Sequence, residues 1–301
     1  MSGYAAAVVT VLIFASYPVA TRAGVTGTFA PHDLLLLRFG VGALLFLPWL
    51  MLHFRAIRRE AWLQGIALTL FQGVGMAGLV ICGLQLAPAS HAAALGPGVS
   101  PAWVALLGFL LFARRSPTRV VLGAALCALG VFTLAWWSAA ELNLQVLAGD
   151  AMFLAASAIS AIYVLQLRRW GIGAIEGAAI VSLYSACIVV PWHLWSAPAT
   201  LWQATPAELL WQVLWQGVLI GCVALAALNH AIERLGSVRS SALVALVPAL
   251  TAILGFLFLD EIPSGVELAA IVAISAGVSI AASRRPDAAM PIRAVRRPAT
   301  P

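Results

Sequence analysis

The sequence predicts an all-α polytopic membrane protein of ten transmembrane helices, arranged as two inverted five-helix repeats. Three observations carry this. The composition leaves no polar surface for water, apolar runs of roughly 20 residues follow one another with short connections, and the two halves echo each other at a fixed offset.

Of 301 residues, 62% are hydrophobic and only 9% charged, with a mean hydropathy of +1.00. A water-soluble domain carries about 25% charged residues, so the solvent of this chain is lipid. Backbone groups in lipid must be satisfied internally, which leaves helices or closed barrels. Barrel strands alternate apolar and polar residues, whereas these runs are apolar all round, so helices are expected.

In order, the spans fall at 4–21, 34–52, 62–86, 90–112 and 120–137, then at 146–167, 176–195, 209–232, 237–259 and 266–282. The first begins MSGYAAAVV, without the positive segment of a signal peptide, and reads as a retained span. Arginines follow the even-numbered spans: Arg55, Arg58 and Arg59; Arg114, Arg115 and Arg119; Arg168 and Arg169; Arg234 and Arg239; and Arg284, Arg285, Arg293, Arg296 and Arg297. The opposite loops hold Asp33, Glu141, Glu208, Asp260 and Glu261, with only Arg22 and Arg38 nearby. The positive-inside rule then places both termini in the cytoplasm. The remaining segment, 284–301, is rich in Arg, Pro and Ala and reads as a disordered cytoplasmic tail.

Residue types also exclude functions. All 17 basic residues are arginine, so neither a phosphate-binding loop nor a retinal Schiff base can form, and ATP would require a separate subunit. HExxH, GxSG and GxGD are absent, which argues against an intramembrane enzyme. Cys82, Cys127, Cys187 and Cys222 lie singly in apolar runs and read as packing residues. No cofactor and no metal site is expected. The expected partners are a small-molecule substrate and membrane lipid, not nucleic acid; the oligomeric state is open, a monomer being sufficient.

The halves align at an offset of 147. It pairs Gly108 and Phe109 with Gly255 and Phe256, Pro101 with Pro248, Ser90 with Ser237, and ALGV at 128–131 with SAGV at 275–278. Tyr17 and Arg22 pair with Tyr163 and Arg168 at an offset of 146, and Pro48 and Trp49 answer Pro191 and Trp192. The repeats are 1–138 and 139–283. Five spans per repeat is odd, so the second must be inverted, and inverted repeats place a substrate site near the midplane between them.

The stretch ALNHAIERLGSVRSSALVALVPALTAILGFLFLDEIPSGVELAAIVAISAGV at 227–278 resembles the second repeat of the EamA-type drug/metabolite transporter superfamily. The shared features are a small-residue and Arg-Ser approach to the ninth span, a mid-span proline, an acidic residue at its end and a glycine in the tenth. Arg38 and Phe39 resemble the family's Arg-Phe pair. A departure is that the fourth span ends in Ala113 and Arg114 where the family commonly has an acid. The resemblance implies a central cavity lined by spans one, three, four, six, eight and nine, and export of metabolites or amino acids.

Candidate substrate contacts follow from the cost of polar groups at membrane depth. Gln72, with Met76 one turn on, lies mid-span among Gly65, Gly73, Gly75 and Gly78; it reads equally as a ligand contact or as an interhelical hydrogen bond. His91, Asn229 and His230 lie near span ends, Ser241 opens the ninth span, and Tyr17, Tyr163 and Tyr184 are positioned to line a cavity. Pro97, Gly98, Pro101 and Pro248 are expected helix breaks, and those at 96–101 are read as functional. Arg38 is expected to snorkel or to pair with Asp33. Trp136, Trp137, Trp192, Trp195, Trp202, Trp211 and Trp215 read as an interfacial belt, and Trp103 as packing toward lipid. Asp150, Glu176 and Glu267 all lie near helix starts, so no deep carboxylate for a proton relay is visible.

These features predict an inner-membrane secondary transporter working by alternating access, an exporter of amino acids or similar amphipathic compounds. The alternatives are a membrane partner subunit that transports nothing and, ranked below it, an intramembrane enzyme; flux in reconstituted vesicles separates both from transport.

Overall fold

The computed structural model describes residues 2–112, 117–195, 200–235 and 243–282; every regular element among them is a helix. Ser237, Arg239, Ser241, the arginines at 114 and 115 and the 284–301 tail lie outside the described residues, as does the side chain of Asn229.

The first helix, α1 (Gly3–Thr26), starts under Ser2, whose hydroxyl accepts the Ala5 N–H at 3.2 Å. In α2 (Pro31–His53) the proline occupies the first turn, where no N–H is needed, and Asp33 Oδ2 accepts the Ala30 N–H at 3.1 Å. The third apolar length, Arg59–Leu86, is divided into α3 (Arg59–Gln72) and α4 (Val74–Leu86). The fourth is divided into α5 (Ala89–Leu95) and α6 (Ser100–Phe112) by turns at 96–99. Three uninterrupted helices follow: α7 (Thr118–Ala140), α8 (Leu144–Trp170) and α9 (Ala174–Trp195).

After a 3₁₀ turn at Thr200–Gln203, α10 (Pro206–Gln212) opens with a capping box between Thr205 and Glu208. It continues as a π-helix over Val213–Val223 and then as α11 (Ala224–Leu235). Finally come α12 (Val247–Leu259) and α13 (Gly265–Ala282). Seven lengths are long and apolar enough to cross a membrane; Val247–Leu259 and Gly265–Ala281 are shorter apolar helices, and the 90–112 region is split.

The helices pack crosswise. Contacts join α2 to α9, α7 to α13, α4 to α8, α1 to α11 and α5 to α12. In the α7–α13 pair the backbones nearly touch. A Cβ on Gly123 would meet the Gly277 carbonyl at 2.5 Å, and one on Gly277 would meet Cys127 Sγ at 2.7 Å. One on Gly130 would meet the Ala270 carbonyl at 2.8 Å. Small residues permit this approach, and the dispersion contact it creates is what holds helices together in lipid. Gly217 does the same in the π segment, seated against Val41 of α2.

Large apolar side chains cover the outside: Leu44, Met51, Leu52, Leu63, Phe132 and Leu194 are all exposed. Such a surface is intolerable in water and natural in lipid. Of the tryptophans expected to form a belt, Trp136, Trp192, Trp195, Trp202 and Trp211 are exposed, while Trp137 and Trp215 are half-buried. Trp103 is not lipid packing as expected; it is half-buried against the main core.

Candidate functional site

Two groups of polar residues stand out, one at the end of the bundle opposite Gly3 (the distal end) and one at mid-depth.

At the distal end, Arg22 lies in the last turns of α1. Its guanidinium forms an ion pair with Glu261 and donates to the carbonyls of Leu84 at 2.6 Å and Ala87 at 2.7 Å. Those carbonyls close α4, where helix geometry leaves acceptors unpaired and the dipole favours a cation. The second carboxylate oxygen of Glu261 accepts the Ala89 N–H at 3.0 Å, at the opposite kind of terminus, the start of α5. One ion pair thus ties α1, the α4–α5 corner and the α12–α13 loop.

One turn deeper in α5, His91 is 1% exposed. Its Nδ1 lies 2.8 Å from Asp150 Oδ1 of α8, and its Nε2 lies 3.2 Å from Glu267 Oε1 of α13. Satisfying two ionised carboxylates takes an N–H on each ring nitrogen, which only the imidazolium provides. Glu267 is itself held by the Ser264 N–H at 2.6 Å. His91, which the sequence placed only near a span end, thus has two carboxylate partners. Asp150 and Glu267 stand 59 and 176 residues away in sequence, and each alone looked like an ordinary helix-start acid.

At mid-depth, Gln72 ends α3 halfway along its span, and its Oε1 accepts the Ser160 hydroxyl of α8 at 2.8 Å. Gly73 follows and breaks the helix. A Cβ there would collide with Ser185 Oγ of α9 and meet the Thr69 carbonyl at 2.5 Å, so only glycine fits. The neighbouring break at 96–99 carries Pro97, which is exposed, and Gly98, which is buried with no room for a Cβ against the Ala94 carbonyl and Ile274. The π segment widens the eighth length at similar depth, and turns at 245–246 precede α12. Four of the helical lengths are therefore irregular in their middles. The expected break at Pro248 moves slightly: this proline sits buried in the first turn of α12, where its missing N–H costs nothing, and the irregular turns lie just before it.

The remaining candidates do not converge on one pocket. Tyr17 accepts a hydrogen bond from Arg38, whose guanidinium also lies 5.1 Å from the Tyr17 ring centre. Arg38 therefore does not pair with Asp33, which is engaged by Ala30 and Thr200. Tyr163 packs near Gly177 in a separate apolar cluster with Leu167 and Tyr184. Met76 is half-buried in α4. Two buried glutamines were missed. Gln212 donates to the Ala20 carbonyl at 2.7 Å and Gln216 to Thr21 Oγ1 at 2.9 Å, joining the eighth length to α1. The same rule that singled out Gln72, an amide within an apolar run, would have found them. A groove of about 450 Å³ between Trp49, His53, Gly173 and Glu176 lies near the other end and contains none of the candidates.

A lipid-facing helical bundle with irregular mid-span helices and charged groups paired in its interior has the design of a membrane carrier. The chain belongs to the EamA-like transporter family, whose profile matches residues 1–136 and 147–283. It is similar to the threonine/homoserine exporter RhtA of Escherichia coli (strain K12), at 30% identity over 256 residues, covering 80% of this chain and 78% of that protein. The RhtA of Salmonella typhimurium (strain SL1344) is 29% identical over 252 residues, with the same shares covered. One solved crystal structure superposes with a TM-score of 0.59 at 20% identity, over 93% of this chain and 96% of that one, a likeness of fold. The chain is a multi-pass membrane protein of a transporter family.

Proposed function

We propose that this protein is an inner-membrane secondary transporter that exports amino acids or similar small amphipathic compounds by alternating access, in ten spans with both termini cytoplasmic. The observation that carries this reading is the placement of the irregular helices. Breaks at Gly73 and 96–99 in one half answer the π segment and the 245–246 turns in the other, as discontinuous helices do around a midplane substrate site. The crosswise contacts support two inverted repeats, 1–138 and 139–283. Cys127 of α7 lies 3.6 Å from the carbonyl of Ile274 of α13, 147 positions on, which is the offset that aligns the halves. The relatives' export of threonine and homoserine supports a zwitterionic amino acid as substrate.

Within this reading the substrate sits beside Gln72 and the 96–99 break. The amide of Gln72 offers both donors and acceptors, and the Ser160 hydroxyl shares its carbonyl oxygen. The distal end faces outside, so the Arg22–Glu261 and His91–Asp150–Glu267 contacts form a closed outer gate. Opening it must exchange these contacts for water or substrate.

The test is flux. Purified protein in sealed vesicles loaded with a labelled amino-acid panel, threonine and homoserine first, should release substrate down its gradient without nucleotide. Flux that appears only with ATP and an added ATPase overturns the reading. Reporter fusions after Arg58, Arg115, Arg169 and Arg239 should all report cytoplasm, and one robust periplasmic result breaks the topology.

A further inference from the structure

A second polar cluster lies at the distal end, apart from the gate. His32 and Asp33 open α2, and His193 lies in the last turn of α9, 160 residues away. Asp33 is fully buried and His193 is 8% exposed. The carboxylate of Asp33 is fixed through one oxygen only. Its Oδ2 accepts the Ala30 N–H at 3.1 Å and the Thr200 hydroxyl, and that hydroxyl also accepts the Ala30 N–H at 3.0 Å. Its Oδ1 is left facing two imidazoles, with His193 Nδ1 at 3.2 Å and His32 Nε2 at 3.7 Å. All three atoms are buried, and none makes an aligned hydrogen bond.

We propose that His32, Asp33 and His193 bind a divalent transition-metal ion of the Zn2+ type, which staples the start of α2 to the end of α9. Three buried polar atoms left without partners around one point are costly, and a cation at that point satisfies all of them. The spacing fits. Metal–ligand distances of about 2.0–2.1 Å at tetrahedral angles put neighbouring ligand atoms about 3.3–3.4 Å apart. One ligand atom from each residue already lies within 4.8 Å of the others. Two imidazoles and a carboxylate suit zinc and its neighbours rather than magnesium or calcium, which favour oxygen-only shells. Three protein ligands leave a fourth position for water. The Ala30 and Thr200 bonds to Oδ2 are the supporting contacts that aim a ligating carboxylate. No spacing rule could have found the site, because its third ligand comes from another helix.

The experiment uses full-length protein purified with a non-histidine tag, stripped with chelator and titrated with Zn2+ by calorimetry, then with Co2+ by visible absorption. One equivalent should bind, with the strong visible band of four-coordinate Co2+. His32→Ala and His193→Ala should each weaken binding roughly tenfold or more and abolish the band. His53→Ala, at the other end of α2, should change neither. Because Asp33 is buried and its replacement threatens folding, His193→Gln serves as a further variant: Zn2+ should raise the unfolding temperature of the wild type and not of this variant. Absence of saturable binding by the wild type, or equal binding by the histidine variants, overturns the site.

Discussion

The distal end and the mid-depth belt hold the bundle together by different means. At the distal end, charged groups meet charged groups: Arg22 with Glu261, and His91 with Asp150 and Glu267, reaching α1, α5, α8 and α13 together. At mid-depth the ties are neutral and single, such as Gln72 with Ser160, and the helices themselves are broken. A buried charge that loses its partner is penalised heavily, so each of the distal ion pairs resists separation. A neutral hydrogen bond in a membrane is worth only about 0.6 kcal/mol, so a ligand can replace it cheaply. In the proposed carrier, the first region would serve as the latch and the second as the substrate's seat.

Four substitutions would break or sharpen that contrast. The largest expected effect is that of His91→Leu. It leaves Asp150 and Glu267 facing apolar bulk without their shared cation, and removal of one partner from a buried pair costs about 3–5 kcal/mol. Thermal unfolding followed by tryptophan fluorescence should show the loss, and a midpoint equal to wild type would refute the latch. Arg22→Gln comes next. Glu261 loses its partner, and the Leu84 and Ala87 carbonyls lose charged donors, each such bond being worth about 1.5–3 kcal/mol. A cysteine placed at Ala87 should then become more reactive to external thiol reagents; unchanged labelling would mean that the corner stays shut without the arginine.

At mid-depth the expected order reverses between stability and transport. Gln72→Leu should lower stability by only about 0.6 kcal/mol while impairing flux or shifting substrate preference. Wild-type kinetics at wild-type protein levels would leave Gln72 as packing. Pro97→Ala should have the smallest effect on unfolding, within about 0.5 kcal/mol as for an exposed substitution. It allows the 96–99 break to rewind, so reduced flux with an unshifted melting curve is the expected signature.

The sequence by itself determined the solvent, the helical class and the 147-residue echo, because each depends on local composition or on matching two strings. A chain with 9% charged residues has no choice but lipid, and lipid has no choice but helices here. Gln72 and the 96–99 break were likewise legible, since a polar residue or a proline in an apolar run announces itself without reference to its neighbours, whereas the break at Gly73 came only with the structure. What only the tertiary structure decided is which charges meet. Asp150 and Glu267 looked like routine helix-start acids until α8 and α13 were packed against α5, and Arg38 turned from Asp33 to Tyr17 because Ala30, Thr200 and His193 already surround that carboxylate. Partner choice among charges depends on which helix ends come within a few ångströms, and helix packing, not sequence spacing, sets that distance.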